Sequence, residues 1–257
     1  MKCSQSQPIP TLNICFRYWI WMQVLLHVIS GVCKLSILFP LLNRDQKDRH
    51  IHQWSRKLLK IFNIQLRVIG ADNLTSRQYL LASNHISWLD IHVINAFKPV
   101  RFVAKSEVRG WPVFGWMAKQ LGTVFIRRDS ARHARQVVDQ MAEVLKVEPI
   151  CIFPEGTSSS GESVLPFKPN LFESAILART PVLPLAIVYR TRSTGLKSDS
   201  PAFIGDMGLL ESMSKVIGNR DIEVHLYLLE PYLIDGVNNP DRKQLAVYCQ
   251  ESIAKTI

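Results

Sequence analysis

The chain has 257 residues, 47% of them hydrophobic, and its 31 Lys and Arg outnumber 21 Asp and Glu for a formal net charge of +10. This length holds one full α/β domain with an appendage, and the basic balance points to an anionic partner: nucleic acid, an anionic membrane surface, or a phosphorylated or acyl-carrier substrate. The five cysteines, Cys3, Cys15, Cys33, Cys151 and Cys249, are scattered without a C-x-x-C pair, which argues against a zinc knuckle or a disulfide framework and suits a reducing compartment.

The first element is apolar. Tyr18 to Leu42 is 25 residues, as a helix roughly 37 Å and long enough to span a bilayer. It lacks a clear small-residue cleavage site and a charged stretch follows, so it does not read as a signal peptide. Gln23, His27, Ser30 and Lys34 fall at i, i+4, i+7 and i+11, a polar stripe on one helical face. Such a helix either lies in the membrane interface or packs its stripe on protein, and a buried core helix is the bland alternative. Arg44 to Arg67 then holds seven Lys and Arg against two Asp, a net of +5. Within it Ile51, Trp54, Leu58, Leu59, Ile61 and Phe62 approximate helical spacing. A basic amphipathic helix beside an apolar one reads as membrane surface, and a basic excess after the apolar run puts the body of the chain on the cytoplasmic side. Nucleic acid is the rival partner, but the chain carries neither a Gly-aromatic RNA-binding signature nor zinc-finger spacing. Residues 1–62 are therefore read as a membrane-anchoring helical segment and 63–257 as a separate domain.

From residue 63 onward short β-rich runs alternate with helical ones. The expected strands are Gln65–Ile69, Tyr79–Ser83, Val100–Ala104, Thr123–Ile126, Ile150–Phe153, Val182–Tyr189 and Ile222–Leu229. Several are nearly all apolar, as strands covered on both faces are. Between the fourth and fifth, Val137, Val138, Met141, Val144 and Leu145 form one apolar helical face, with Ser130 a candidate N-cap. The pattern predicts an α/β fold with a mixed, largely parallel central sheet flanked by helices.

Polar clusters follow four of these strands: Asn84-His85, Lys105, Arg127-Arg128, and Glu155-Gly156-Thr157. Ligands of α/β sheets sit beyond the carboxyl ends of strands, so the four loops are expected to build one site. Gly156 to Ser163 has the G-x-x-x-x-G frame of a phosphate loop, but Glu162 stands where that motif needs lysine. No G-x-S-x-G elbow marks a nucleophilic serine, and His50 and His52 read as a solvated or headgroup-facing pair rather than metal ligands. His85 with Asp90 is left as a base and its orienting carboxylate, needing a nucleophile from the substrate, such as a hydroxyl, and an already activated acyl donor, such as a thioester. On residue logic alone His85 is equally readable as a capping or structural histidine, and Glu155 as a functional carboxylate or a loop-closing group.

Four motifs in register carry a resemblance. "NHISWLD" matches an N-H-x-x-x-x-D block, "AKSEVRGWPVFGWMAKQLGTVFIRRD" a block ending in F-I-R-R, "FPEGT" a third and "TPVLPLAI" a proline-bearing fourth. Together they resemble the 1-acylglycerol-3-phosphate O-acyltransferase (lysophosphatidic acid acyltransferase) family over about residues 60 to 230. The resemblance implies that His85 is the general base on an acceptor hydroxyl and Asp90 its partner. Arg127, Arg128, Glu155, Gly156 and Thr157 would form the acceptor site, with Lys105 assisting with anions. The donor would be acyl-CoA or acyl-carrier protein, with no cofactor and no metal, and the chain would work on membrane lipids at the cytoplasmic face of the cell inner membrane. Trp111, Phe114, Trp116 and Met117 would line an acyl tunnel or pack in the core. The default acceptor is 1-acyl-sn-glycerol-3-phosphate, giving phosphatidic acid for phospholipid biosynthesis. One departure bears on it: Ser158-Ser159 stand where the third block usually continues Arg-Ser. That makes lyso-ornithine lipid or another lysophospholipid an alternative acceptor, and PAFIGDM (Pro201 to Met207) resembles the lyso-ornithine branch. A non-catalytic lipid- or carrier-binding protein and a thioesterase are the alternatives of another class.

Overall fold

The computed structural model describes residues 12–127, 131–235 and 239–257, the side chains of 131 and 132 excepted. Arg128 and Ser130 therefore lie outside the described residues.

All seven expected strands form, within a residue or two at their ends: β1 Gln65–Ile69, β2 Leu80–Ser83, β3 Arg101–Lys105, β4 Val124–Ile126, β5 Ile150–Ile152, β6 Val182–Thr191 and β7 Ile222–Leu228. They make one sheet in the order β1-β7-β6-β2-β5-β3-β4. Every neighbouring pair is parallel except β6 and β7. Helices α3 (Leu89–Phe97), α4 (Phe114–Gln120), α5 (Ala131–Leu145), α6 (Glu173–Ala178), α7 (Leu209–Gly218) and α8 (Arg242–Ala254) fill the connections and the end of the chain.

Two apolar layers sandwich the sheet because strand side chains alternate between faces. Leu81, Leu183, Leu185 and Ile187 point to one face with α3 and α7. Leu80, Ala82, Val182 and Ala186 point to the other, where Met141 and Leu145 of α5 and Leu245 and Cys249 of α8 cover them. This two-sided burial is why β6 is buried from Val182 to Tyr189 without a polar break.

The N-terminal helix α1 spans Ile14–Cys33 and runs on through a wider turn to Leu41. It packs against α2 (Arg44–Phe62) and α7. Its buried positions Ile20, Val24, His27, Gly31, Leu35 and Phe39 recur every three or four residues, one stripe against the body. The predicted polar stripe thus turns inward: His27 is 3% exposed and stacks on Trp54 at 4.2 Å. Gly31 makes the close approach possible, since a Cβ there would lie 2.9 Å from the Trp54 indole nitrogen. What faces outward is apolar: Tyr18, Trp19, Met22, Leu25, Leu26, Ile29 and Ile37 are all exposed. Helix α2 begins in an Asn43–Gln46 capping box and ends at Asn63 in the left-handed region. Its Leu58, Leu59 and Phe62 enter the same apolar cluster as the sheet, as do Ile20 and Val24 of α1, so both helices share a core with the body.

Candidate active site

Strand β2 ends because a side chain takes over its ladder. The Asn84 amide accepts from the Ile187 N–H at 2.8 Å and donates to the Ile187 carbonyl at 3.0 Å, as a further strand residue would. The chain then leaves the sheet with His85 at its rim. Asp90, in the first turn of α3, is fully buried and reaches back to this loop. Its Oδ2 accepts from the Ile86 N–H at 2.7 Å, from the Ser87 N–H at 2.9 Å, and lies 2.8 Å from His85 Nδ1. Its Oδ1 accepts from the Tyr189 hydroxyl at 2.8 Å. Burial, reinforced by the charge of Asp90, pushes the Tyr189 phenol well up, so it stays protonated and donates. An oxygen that already accepts two backbone N–H groups needs a donor as its third partner. That requirement places the proton on His85 Nδ1 and leaves the Nε2 lone pair as acceptor.

The imidazole is also held by packing. It stacks on Phe153 at 4.0 Å, and Phe153 stacks on Phe102. Behind it the His85 N–H donates to Glu155 Oε1 at 2.7 Å, while Glu155 Oε2 accepts from the Leu165 N–H at 3.1 Å. Glu155 is 3% exposed, and burial pushes its carboxyl up from the usual range against the pull of those two N–H groups. Its carboxylate ties two loops together with both oxygens engaged, the loop-closing role. Gly156 turns the chain at φ 74°, and Thr157 is exposed. Past it, Ser159 N–H donates to the His85 carbonyl at 2.8 Å and Phe203 N–H to the Ile86 carbonyl at 2.9 Å. The Ser158 hydroxyl donates to the Phe203 carbonyl. The two segments singled out in the sequence, Ser158-Ser159 and PAFIGDM, therefore meet beside His85.

The cations follow the strands toward the β4 edge of the sheet. Parallel register pairs Lys105 with Ile126, so Lys105 and Arg127 stand at neighbouring strand ends, both exposed. With β5 between β2 and β3, those ends lie about 10 and 14 Å along the sheet from the strand that carries His85. An exposed arginine side chain spans much of that interval. A ligand with a hydroxyl at His85 and an anionic group toward β4 matches this spacing.

A family model described as Acyltransferase matches residues 65–188. The lyso-ornithine lipid O-acyltransferase of Pseudomonas aeruginosa is 37% identical over 209 residues, 80% of this chain and 78% of that one. The 1-acyl-sn-glycerol-3-phosphate acyltransferase of Neisseria meningitidis is 32% identical over 214 residues, 83% of this chain and 82% of that one. The chain belongs to the acyltransferase family. The crystal structure of the 1-acyl-sn-glycerophosphate acyltransferase PlsC from Thermotoga maritima shares the fold, with a TM-score of 0.67, 23% identity and 95% of this chain and 94% of that one covered.

Two groups around His85 were not singled out from the sequence: Tyr189 lies 99 residues beyond Asp90, and Phe153 reads as a strand end. Only the packing of β5 and β6 against β2 brings them to the His85–Asp90 pair. The tunnel expected from Trp111, Phe114, Trp116 and Met117 does not gather these side chains. Trp111 and Trp116 are 42% and 36% exposed, while Met117 packs on Leu35 and Phe39.

Proposed function

We propose that this acyltransferase moves a fatty acyl chain from a thioester, acyl-CoA or acyl-carrier protein, to the free hydroxyl of a lysolipid at the cytoplasmic face of the cell inner membrane. The observation that carries the reading is the His85–Asp90 pair, with Nδ1 held by a buried carboxylate and Nε2 left as acceptor. The acceptor hydroxyl gives its proton to Nε2 as its oxygen attacks the thioester carbonyl. The tetrahedral intermediate collapses, the C–S bond breaks, and the imidazolium returns the proton to the departing thiolate. One ester and one thiol leave, His85 is restored, and the route as written uses neither metal nor cofactor. Asp90 stabilises the imidazolium while it exists. Lys105 and Arg127, with Arg128 next in sequence, would hold the acceptor's anionic group. Glu155, Gly156 and Thr157 would shape the loop beneath it. The outward apolar face of α1 and the basic α2 would keep the site at the membrane surface where the acceptor resides. Since α1 packs on the body along its length, it would embed in the interface rather than cross it.

The family default acceptor is 1-acyl-sn-glycerol-3-phosphate. A second reading, lyso-ornithine lipid, is favoured by the Ser158 hydroxyl engaging Phe203 where a cation is usual, and by the P. aeruginosa relative's name. The test supplies palmitoyl- and oleoyl-thioesters with a panel of lysolipids and reads products by mass, beside His85→Ala. Diacyl product with one head group, abolished in H85A, is expected. Lysolipid-independent thioester loss indicates a thioesterase, and thiol release unchanged in H85A removes the catalytic assignment.

A further inference from the structure

The segment between β3 and β4 is exposed, apolar and firmly built, a combination that the chemistry at His85 does not explain. Trp111, Val113 and Trp116 are 42%, 46% and 36% exposed. They are not on a loose loop. Trp111 N–H donates to the Val108 carbonyl at 3.1 Å, Gly115 N–H to the Trp111 carbonyl at 3.0 Å, and Met117 N–H to the Val113 carbonyl at 2.9 Å. Gly115 is buried so tightly that a Cβ would lie 2.5 Å from the carbonyl oxygens of Val108 and Arg109. Val113 sits at φ 61°, ψ −58°, a conformation that a β-branched residue adopts only under constraint. The fold thus accepts strain to hold an isopropyl group and two indoles in water.

The surroundings indicate what covers them. Through Met117 the same segment packs on Leu35 and Phe39 of the helix that continues α1, the helix that also exposes Ile37, Leu38 and Leu41. Exposed Lys105, Arg109 and Lys119 flank it against one acid, Glu107. Indoles beside cations suit the headgroup level of an anionic bilayer, where an amphipathic ring has one end apolar and the other wet. The segment starts at Lys105, at the strand ends that carry the site. We propose that Trp111, Val113 and Trp116 form a second bilayer-contact element beside α1, which seats the rim of the site in an anionic membrane surface so that lipid acyl chains reach His85 without crossing water. The inference rests on the membrane-enzyme reading above and adds a contact that α1 and α2 do not supply.

The test uses the purified full chain and vesicles of phosphatidylethanolamine and phosphatidylglycerol. The triple variant Trp111→Ser, Val113→Ser, Trp116→Ser is compared with the parent by flotation and by acyl transfer to a lysolipid, once in vesicles and once in detergent micelles. Partition into vesicles is expected to fall at least about tenfold, with a matching rise in KM for the vesicle-borne acceptor and kcat in micelles within about twofold of the parent. Val113→Gly alone relieves the positive φ and folds at least as well; it is expected to lose a smaller share of partition in the same direction. Unchanged partition in both variants overturns the proposal. So does a change in sedimenting mass without vesicles while partition holds, which assigns the tip to a second copy of the chain. If no preparation transfers an acyl group, flotation still decides this question, and only the reading of the reaction fails.

Discussion

Replacing Asp90 by Asn isolates the charge that holds His85. Asp90 is fully buried and accepts from four donors, three on Oδ2 and one on Oδ1. In the variant the amide oxygen takes the Oδ2 place and keeps the Ile86, Ser87 and His85 donors. The amide nitrogen faces Tyr189, whose hydroxyl rotates its proton away and accepts instead. The hydrogen-bond pattern survives, so the expected stability loss is about 1 kcal/mol, or roughly 2–4 °C in Tm for a chain of this size. The reaction loses more. An imidazolium and a carboxylate about 4 Å apart, at an effective dielectric near 20, attract by about 4 kcal/mol, and losing that in the transition state is roughly a thousandfold in rate. The assay pairs kcat, at saturating thioester and lysolipid, with a thermal melt. A D90N enzyme within about tenfold of the parent, with its Tm intact, would refute the role of the charge. A Tm collapse beyond about 10 °C would show instead that Asp90 is chiefly a cap for the 85–88 turn.

Glu155→Gln sets an amide N–H against either the His85 or the Leu165 N–H. It should cost about 1–3 kcal/mol and lower kcat with little change in KM for the thioester, and an unchanged kcat would show that Glu155 does not act through His85. Glu223→Gln probes pH on β7, next to the β1 edge of the sheet. His225 first, then Arg67, hold the Glu223 carboxyl below the usual range, so the folded state favours its ionised form. That stabilisation is present above the unfolded value of 4.5 and is lost as pH falls through the lower folded value. E223Q should therefore melt below the parent at pH 7, by on the order of 1 kcal/mol, with the gap closing as pH falls through the lowered folded value; a gap independent of pH would contradict the assignment. Ser158→Arg removes the hydroxyl bond to Phe203 and adds a cation. The ratio of kcat/KM for lysophosphatidate to that for lyso-ornithine lipid should rise, and an unchanged ratio would detach position 158 from acceptor choice.

Much of this protein was written in local pattern. Strands buried on both faces must be nearly all apolar, so seven of them could be read from runs such as Val182–Tyr189. A basic helix after an apolar one, and polar residues placed after strand ends, are local signals too, and the spacing of His85 and Asp90 is short enough for one turn to join them. Partners distant in sequence were not readable. That β7 inserts between β1 and β6, antiparallel to β6, depends on which edges meet once the layers pack. Tyr189 reaches Asp90, and Asn84 reaches Ile187, only because β6 pairs with β2.

The polar stripe of α1 shows the same division. Its period of three to four residues is a property of the sequence, but a period has no direction. Gly31 admits Trp54, and His27 stacks on that indole, so the stripe faces the body and the apolar side is left outward. Local chemistry nominated the groups of the candidate site, because a base, a carboxylate and cations at strand ends are conspicuous in a chain. Tertiary structure decided what each one does, because a carboxylate such as Glu155 becomes a loop tie or a ligand contact according to the donors that packing brings against it.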